Sequence, residues 1–363
     1  MLDVADVAPY LTGKGLLGAR AVVDGRLRVV DVSRRNRVFL VTADDEPCYV
    51  VKLPDEPGDS GVEHEAAVLD RLRSAGGDGC LSSFLPIPVL YDAAQNALVL
   101  EVPPDARDLR QQHVRGRFSP TLARETGKGL AVLHSVASAV LDGLQAPDPR
   151  GLLAVHSPDL HAARTLTAAG VDLVRMIQGS DELCRELDEL LACHRDECVI
   201  HGDMRWDNCL ALSRGGSSRR TRVLLIDWEL STAGDPALDI GAYFAEYLRA
   251  WQQSVGMPDP HEPARRLVDP RQVLPTMQPA VGAFWEAYER RRGHSAMELS
   301  RTLRRALRFA GARLVMTALE EAQMLVELRQ SVLSTLQLGA NVLRRPDEAA
   351  AHLLGFRTFW GRT

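Results

Sequence analysis

Aromatic residues and a net charge of either sign are both scarce in this sequence. Its 363 residues include 8 Phe, 5 Trp and 6 Tyr, and 43 Lys and Arg stand against 48 Asp and Glu, a net charge of −5. A platform that stacks on bases needs aromatic side chains, and a surface that binds a phosphate backbone needs a basic excess. We therefore expect no nucleic acid as a partner.

Long apolar runs and a basic leader are also missing. The apolar run at 223–226 is far shorter than the roughly 20 residues that a membrane-spanning helix requires. The first six residues, Met1-Leu2-Asp3-Val4-Ala5-Asp6, are acidic where a secretory signal would be basic. The sequence therefore predicts a cytoplasmic protein with no membrane as a partner.

The six cysteines contain no C-x-x-C pair. They are Cys48, Cys80, Cys184, Cys193, Cys198 and Cys209. This pattern favours reduced, unpaired thiols. Cys193, His194, Cys198 and His201 lie close together in the sequence, but their spacing differs from that of the standard zinc sites, so no zinc is expected there.

The composition is that of an ordinary globular protein. Apolar residues make up 45% of the chain and charged residues 25%, which excludes a disordered chain. The length fits two compact domains or one catalytic fold with two lobes.

The first hundred residues are predicted to be rich in strands. Predicted strands lie at 21–23, 27–32, 37–42, Cys48–Leu53, 86–91 and Ala97–Val102. The first two flank Asp24-Gly25, a hairpin turn signal. Residues 63–72 have helical spacing, and Gly76-Gly77 would end that helix.

Helices dominate after Pro103-Pro104-Asp105. Predicted helices lie at 122–133, at 181–193 and from 235 onwards, with short strands at Cys198–Ile200, 210–212 and 222–226. The predicted architecture is α+β with two lobes. Residues 1–102 form a small antiparallel sheet plus one helix, and residues 103–363 form a larger, mainly helical lobe.

The strongest motif is His201-Gly202-Asp203-Met204-Arg205-Trp206-Asp207-Asn208, between two short apolar strands. H-x-D-x-x-x-x-N is the spacing of a kinase catalytic loop. Phosphoryl transfer needs a carboxylate that accepts the proton of the attacking hydroxyl, and oxygen ligands that hold Mg²⁺ on the phosphates. Asp203 and Asn208 could supply them. The alternative is a loop in which both side chains only satisfy backbone groups.

A second motif follows at 222–229, where an apolar strand ends in Asp227-Trp228-Glu229. Kinases place their second metal carboxylate here, downstream of the catalytic loop. Asp227 would therefore bind Mg²⁺, unless it only caps the strand.

These motifs resemble the aminoglycoside phosphotransferase and choline-kinase group, which has a protein-kinase-like fold. That group carries H-G-D and I-D-W-E-type segments, found here at 201–203 and 226–229. Its G-D-P-x-x-D segment is similar to 234–239, and its L-x-x-L-H helix end is similar to 130–134. The resemblance covers about residues 30 to 241 and implies ATP, with GTP as the alternative, as well as Mg²⁺. It also implies that Asp239 anchors the catalytic loop.

The resemblance implies a nucleotide site in the first lobe. Tyr49-Val50-Val51-Lys52 is similar to V-A-I-K, so Lys52 would neutralise the α- and β-phosphates. Glu65 would pair with Lys52, with Glu63 as a rival partner. The alternative for Lys52 is an ordinary lysine on an edge strand.

The loop that should cover the phosphates lies at 32–38 and contains no glycine, although glycine lets backbone N–H groups approach phosphate. In the resembling group a loop with Ser and Asn does this work, which implies Ser33 and Asn36, and the loop arginines could add contacts. The backbone at Glu101 and Val102 would bind the adenine edge.

Arg205 follows Asp203 by two residues, where many protein kinases have a lysine near the transferred group. We assign it the stabilisation of transition-state charge, with a solvent-facing arginine as the alternative.

The helical lobe should select the acceptor. Eight arginines and one acidic residue, Glu298, lie between Arg290 and Arg313. An arginine stripe on one helix face consists of Arg301, Arg304, Arg305 and Arg308. It fits an anionic peptide or an acidic partner. The alternative is a solvated helix face.

A narrower resemblance, carried by 31–37, 201–208 and the segments 311–341 and 346–355, is to the stand-alone kinases of lanthipeptide and thioamitide biosynthesis. It implies a Ser/Thr-containing precursor peptide as the acceptor and a separate lyase as a partner. A small-molecule hydroxyl is the second interpretation. A pseudokinase would have to lack Lys52, Asp203, Asn208 or Asp227, and all four are present.

Overall fold

The computed structural model describes residues 2–25, 27–33, 36–43, 47–56, 58–76, 80–113, 117–145, 148, 151, 153–212, 221–255 and 270–356. Met1, Gly77 and two of the arginines in the predicted phosphate-covering loop, Arg34 and Arg35, lie outside these residues. The longer strands lie in the first 102 residues and most helices follow them, so the α+β prediction is confirmed.

An antiparallel sheet forms the first part of the chain. Its strands are β1 (Leu27–Asp31), β2 (Arg37–Ala43), β3 (Cys48–Leu53), β4 (Ile87–Asp92) and β5 (Ala97–Val102). Their order is β1-β2-β3-β5-β4. Lys52 on β3 lies opposite Val38 on β2 and Leu98 on β5. Since β3 has neighbours on both sides, the interpretation of Lys52 as an edge-strand lysine is wrong.

Two helices, α1 (Val4–Gly13) and α2 (Ala19–Val23), precede this sheet. The prediction of a strand at 21–23 is wrong, because these residues form the end of α2. Gly25 has a φ of +67°, and its N–H binds the Val22 carbonyl, so it ends a helix and does not turn a hairpin. A run of three apolar residues is too short to distinguish the two structures.

The helix predicted at 63–72 is α3 (Gly61–Ala75), which precedes β4. The remaining helices are α4 (Leu109–His113), α5 (Pro120–Leu133), α6 (Leu160–Thr165), α7 (Ala168–Gln178), α8 (Asp181–Ala192), α9 (Pro236–Val255), α10 (Pro270–Arg292), α11 (Ala296–Ala322), α12 (Gln330–Arg344) and α13 (Pro346–Glu348). Single turns of 3₁₀-helix also lie at Leu81–Phe84, Ser138–Leu141 and Trp206–Asn208, and a π-helical turn lies at Ala349–Leu353. None of the helices found in the described ranges is long and apolar enough to cross a membrane.

Short strands lie among the helices, and the segments that carry the two motifs begin or end at them. They are β6 (Arg107–Asp108), β7 (Cys198–Ile200), β8 (Cys209–Leu212), β9 (Arg222–Leu225) and β10 (Thr232–Gly234). β6, β8 and β9 form one antiparallel sheet, and β7 pairs with β10. Because β8 and β9 are paired, the loop before β8 and the segment after β9 come together.

Among the described residues, two apolar clusters stabilise the fold. Val7 and Leu11 of α1 pack with Phe39, Val41 and Val51 of the sheet. The larger cluster joins α3 to the helical region and contains, among others, Leu69, Leu130, Phe244, Leu307 and Val223. This cluster ties the helix that carries Glu65 to the region that carries the catalytic motif.

Candidate active site

The loop that follows β7 is fixed by a buried carboxylate. Asp239 on α9 accepts hydrogen bonds from the backbone N–H of His201 at 2.7 Å and from that of Gly202 at 2.9 Å. Its Oδ2 also lies 3.0 Å from His134 Nε2, at the end of α5. The Asp239 side chain has no exposed surface. These contacts give Asp239 the anchoring position that the resemblance implies.

Gly202 gives this loop a conformation that other residues rarely adopt. Its φ is +83°, and a Cβ at this position would lie 2.3 Å from the Leu230 carbonyl oxygen. An L-residue would meet both the unfavourable left-handed region and a steric clash with the backbone. The glycine of the motif is therefore required by the close approach of two loops.

The imidazole of His201 joins the loop to the segment after β9. Its Nε2 lies 2.9 Å from the Ile226 carbonyl oxygen, and its ring lies 4.6 Å from the indole of Trp228. Since these two residues flank Asp227, the contacts hold the two motifs together.

Asp203, Arg205 and Asn208 contact one another within the loop. Asn208 Nδ2 donates to the Asp203 carbonyl at 2.9 Å and to Asp203 Oδ2 at 3.0 Å. Arg205 Nη2 lies 3.2 Å from the same Oδ2. Burial raises the pKa of the Asp203 carboxyl, and the Arg205 charge opposes this effect without cancelling it. The Arg205 side chain is 30% exposed and paired, so the interpretation of a solvent-facing arginine is not favoured.

Lys52, Glu65 and Asp227 form a second group. Lys52 Nζ lies 2.7 Å from Glu65 Oε2 and 2.6 Å from Asp227 Oδ1. Lys52 and Glu65 are buried, whereas the Asp227 side chain is 29% exposed. The structure thus brings Glu65 and not Glu63 to Lys52.

The charges of this second group depend on one another. Burial acts to lower the pKa of Lys52, but the two carboxylates outweigh it and raise that pKa. Burial acts to raise the pKa of Asp227, but the Lys52 ammonium outweighs it and lowers that pKa. Asp227 has a φ of +71°, a left-handed conformation that is unfavourable for a residue with a Cβ and that its surroundings must hold.

The remaining predicted nucleotide residues lie along the sheet. The Ser33 hydroxyl accepts the Val38 N–H at 2.9 Å and so closes the β1–β2 connection. Asn36 donates to Glu229, two residues beyond Asp227. Glu101 and Val102 are the last residues of β5, where they pair with Tyr49 and Cys48. In the loop between β1 and β2, the side chains of Ser33 and Asn36 therefore both bind other residues of this chain.

The chemistry of the donors supports a magnesium site. Asn208 uses its amide nitrogen as a donor to Asp203, which leaves its amide oxygen as the atom that could ligate a cation. Asp227 adds a partly exposed carboxylate. Oxygen donors of this kind fit Mg²⁺. Within the described ranges no three His, Cys, Asp or Glu side chains form a group that could hold a metal ion.

The arginines of the stripe differ in exposure and in whether other side chains bind them. Arg305 Nε lies 2.6 Å from Asp235 Oδ2, and its side chain is 17% exposed. Arg308 Nη2 lies 2.9 Å from Glu186 Oε2 on α8. Arg304 lies 3.3 Å from Asp347 Oδ2 but is 58% exposed, and Arg301 is exposed. Arg305 and Arg308 thus bind other parts of the chain, and a role in acceptor binding would depend on Arg301 and Arg304.

Sequence reasoning missed several residues beside the catalytic loop. Arg110 on α4 bridges Asp207 Oδ1 at 3.2 Å and Glu246 Oε2 at 3.1 Å. Arg313 on α11 pairs with Glu320. Arg313 was counted only as part of an arginine-rich stretch. No local pattern could have shown the pairs of Arg110, which join distant segments of the chain. Arg313 and Glu320 lie seven residues apart on α11, a spacing that helical periodicity could have indicated.

A family model and a curated relative both match this chain. The family model of APH, the phosphotransferase enzyme family, matches residues 26–299, more than half of the chain. Acyl-CoA dehydrogenase family member 10 of Mus musculus is 22% identical over 248 residues, which are 62% of this chain and 21% of that protein. The chain thus spans about a fifth of the length of that curated relative.

Solved structures are similar over nearly the whole chain. Choline kinase from Cryptosporidium parvum Iowa II has a TM-score of 0.58 and 13% identity, with 98% of this chain and 99% of that chain covered. Macrolide 2'-phosphotransferase from Brachybacterium faecium has a TM-score of 0.48 and 19% identity, with 94% and 99% covered.

The likeness to choline kinase shows the fold, so the predicted protein-kinase-like fold is confirmed. The family match confirms the resemblance and the predicted enzyme class, a kinase with a hydroxyl acceptor. The chain belongs to the phosphotransferase enzyme family.

Proposed function

We propose that this protein transfers the γ-phosphoryl group of ATP to the hydroxyl of a small molecule. The observation that carries the proposal is the link between its two motifs: the loop of Asp203 is bound through His201 to the segment of Asp227, and Asp227 contacts Lys52. In this proposal residues 1–102 are the nucleotide lobe, residues 103–363 hold the acceptor, and the enzyme works in the cytoplasm.

Lys52 is the proposed ligand of the α- and β-phosphates, and Glu65 holds it in place through two contacts of 2.7 and 3.0 Å. Ser33 and Asn36 exchange their present partners, the Val38 N–H and Glu229, for phosphate oxygens. The backbone at Glu101 and Val102 binds the adenine edge. GTP is the alternative donor.

Asn208 and Asp227 are the proposed holders of Mg²⁺. When bound, this ion would neutralise charge on the phosphate oxygens.

Asp203 orients the acceptor hydroxyl and takes its proton as the new O–P bond forms. The bond between the γ-phosphorus and the bridging oxygen breaks, and ADP leaves with the electron pair. Arg205, bound to Asp203, compensates the negative charge that spreads over the transferred group.

A small acceptor is supported by the match to the phosphotransferase enzyme family, which covers residues 26–299 of the chain.

A precursor peptide is the second candidate, with a separate lyase acting afterwards. It is supported by Arg301 and Arg304, which are exposed on the arginine stripe. A surface of this charge would suit an acidic segment of a peptide.

The test is an incubation of the enzyme with Mg²⁺ and ATP, in parallel with small hydroxyl compounds and with a Ser/Thr-rich peptide. The small compounds should include hydroxy acids, amino alcohols and aminoglycosides. Mass spectrometry should show one added phosphate on a small compound. A phosphate on the peptide alone would establish the second candidate, and Arg301→Glu with Arg304→Glu should then raise its KM. Stoichiometric release of inorganic phosphate, with no acceptor modified in either set, would contradict both.

A further inference from the structure

Arg205 in the catalytic loop lies between two carboxylates. Its Nη2 lies 3.2 Å from Asp203 Oδ2, and its Nε lies 4.0 Å from Asp207 Oδ1. That Nε is buried, and within the described residues no acceptor forms a hydrogen bond with it. A hydrogen bond needs a separation of about 3 Å, so Asp207 lies only about 1 Å too far away to accept one from this nitrogen. Asp207 is thus a rival of Asp203 for the same guanidinium.

A second arginine holds Asp207 in its present position. Arg110, on α4, places its Nη2 3.2 Å from Asp207 Oδ1, the same oxygen that faces Arg205, and 3.1 Å from Glu246 Oε2 on α9. The side chains of Asp207 and Glu246 are only 12% and 10% exposed. Because water reaches these carboxylates poorly, each needs a charged partner within the protein. Arg110 therefore binds the oxygen of Asp207 that could otherwise bind Arg205.

Both carboxylates of the catalytic loop attract Arg205. Burial acts to lower the pKa of Arg205, but the charges of Asp203 and Asp207 outweigh it and raise that pKa. Without Arg110, Asp207 would still have the Arg205 guanidinium within 4.0 Å. The nitrogens of a guanidinium lie in one rigid plane, so a turn that bonds Nε to Asp207 also moves Nη2 relative to Asp203.

We propose that Arg110 is a positioning residue for phosphoryl transfer: by binding Asp207, it keeps Arg205 on Asp203. Arg205 then lies beside the carboxylate that takes the acceptor proton, where it compensates the charge of the transferred group. The inference rests on the proposed function, because it assigns Arg110 an effect on transfer. The choice of Arg205 between two carboxylates, however, exists without nucleotide or acceptor and can be measured without them.

A merely structural role for Arg110 predicts a different result, and two double variants separate the two roles. Arg110→Met takes this partner from both Asp207 and Glu246, and a further Asp207→Asn or Glu246→Gln removes one of the two charges. A structural bridge would be relieved equally by either change, since the two side chains are buried to similar extents. Of the two carboxylates, however, Asp207 is the one that faces Arg205. Only Asp207→Asn should therefore return Arg205 to Asp203, because an amide oxygen accepts a weaker bond than a carboxylate.

The experiment follows the Nε–Hε resonance of Arg205 by NMR in the full chain with isotope-labelled arginine, assigned through its absence in Arg205→Lys. In Arg110→Met, alone or with Glu246→Gln, we expect Hε to move downfield and to exchange with water about tenfold more slowly, because Nε gains a bond to a carboxylate. Arg110→Met with Asp207→Asn should restore the wild-type resonance. If Arg110→Met alone does not fold, the two double variants decide, since each leaves one carboxylate without Arg110. The same Arg205 resonance in both double variants would overturn the proposal.

Transfer by the two double variants connects this arrangement to the proposed function. The probes are Mg²⁺, ATP and the panel of hydroxy acids, amino alcohols and aminoglycosides, in single turnover. Arg110→Met with Glu246→Gln should transfer about tenfold more slowly than Arg110→Met with Asp207→Asn, at the same nucleotide affinity. Equal rates would overturn the positioning role. A wild type that phosphorylates no compound would contradict the proposed function alone, because the Arg205 resonance distinguishes Asp203 from Asp207 without transfer.

Discussion

The Lys52 ammonium lies 2.6 Å from Asp227 Oδ1 and 2.7 Å from Glu65 Oε2. It thereby connects the third strand of the sheet to α3 on one side and to the segment after β9 on the other. Lys52, which is proposed to bind the phosphates, therefore contacts Asp227, which is proposed to bind Mg²⁺.

Replacement of Lys52 by Met should lower both stability and nucleotide binding. The change leaves the buried Glu65 carboxyl without its partner, so we expect the free energy of unfolding to fall by about 3 kcal/mol. Urea denaturation and nucleotide titration measure the two effects. The control is Lys14→Met, because Lys14 pairs with Asp92 but is 39% exposed, and its loss should cost less than about 1 kcal/mol. Similar losses in the two variants would contradict the account.

Gly202→Ala should damage the catalytic loop beyond the cost of its backbone conformation. Gly143 is a matched control, since its φ of +82° is close to the +83° of Gly202 and nothing lies within 4 Å of its Cβ position. Gly143→Ala should cost about 1 kcal/mol. Gly202→Ala should cost several times more and abolish transfer, as measured by thermal unfolding and product formation. Equal costs would show that the contact with Leu230 is not tight.

Asp239→Ala should release the loop from α9. The carboxylate accepts two backbone N–H groups, which would remain buried without a partner, so we expect a loss of about 3 kcal/mol. Asp239→Asn keeps one acceptor oxygen and should lose less. Hydrogen exchange of the His201 and Gly202 amides should be faster in both variants, and unchanged exchange would exclude the anchoring role.

The stability of the protein should decrease in mild acid because of His113. Burial among aromatic rings, including Trp206 at 4.5 Å, lowers the pKa of His113 to about 4 from the ordinary 6.5. As the pH falls, His113 therefore becomes protonated in the unfolded chain at a higher pH than in the folded protein. The contribution of neutral His113 to the free energy of unfolding is fully present above pH 6.5. It is lost as the pH falls towards 4, and the loss is up to about 3 kcal/mol.

His113→Phe should flatten this pH dependence, which urea midpoints between pH 7 and pH 4 would show. His294→Phe, at an exposed position, should keep the wild-type slope. The same slope in His113→Phe would show that other groups cause the loss.

Local patterns predicted the parts of the site that depend on short stretches of chain. The spacing of Asp203 and Asn208, and the apolar strands that end at Lys52 and Asp227, could be recognised because each motif folds as one turn or one strand. The pairing of Glu65 with Lys52 was implied by the family resemblance, while the sequence of its own segment predicted only the helix. The α+β architecture followed from the change in periodicity near residue 103.

Local patterns cannot classify very short runs, and they do not show contacts between distant segments. The run at 21–23 is helical, which three apolar residues cannot indicate. Arg305 and Arg308 share a helix face, but Asp235 and Glu186 come to them from distant segments and neutralise them. Arg110 likewise pairs with Asp207 and Glu246, which come to it from distant segments. The Arg313–Glu320 pair lies within α11 and could have been inferred from helical spacing.

The most direct test of the central claim is transfer by Asp203→Asn, compared with Asp188→Asn, which changes an aspartate that is 64% exposed. The measurement is single-turnover formation of phosphorylated acceptor, with nucleotide affinity determined in parallel. We predict that Asp203→Asn loses at least about a hundredfold in rate while it binds nucleotide as the wild type does, and that Asp188→Asn is unaffected. Transfer by Asp203→Asn at the wild-type rate would contradict the account.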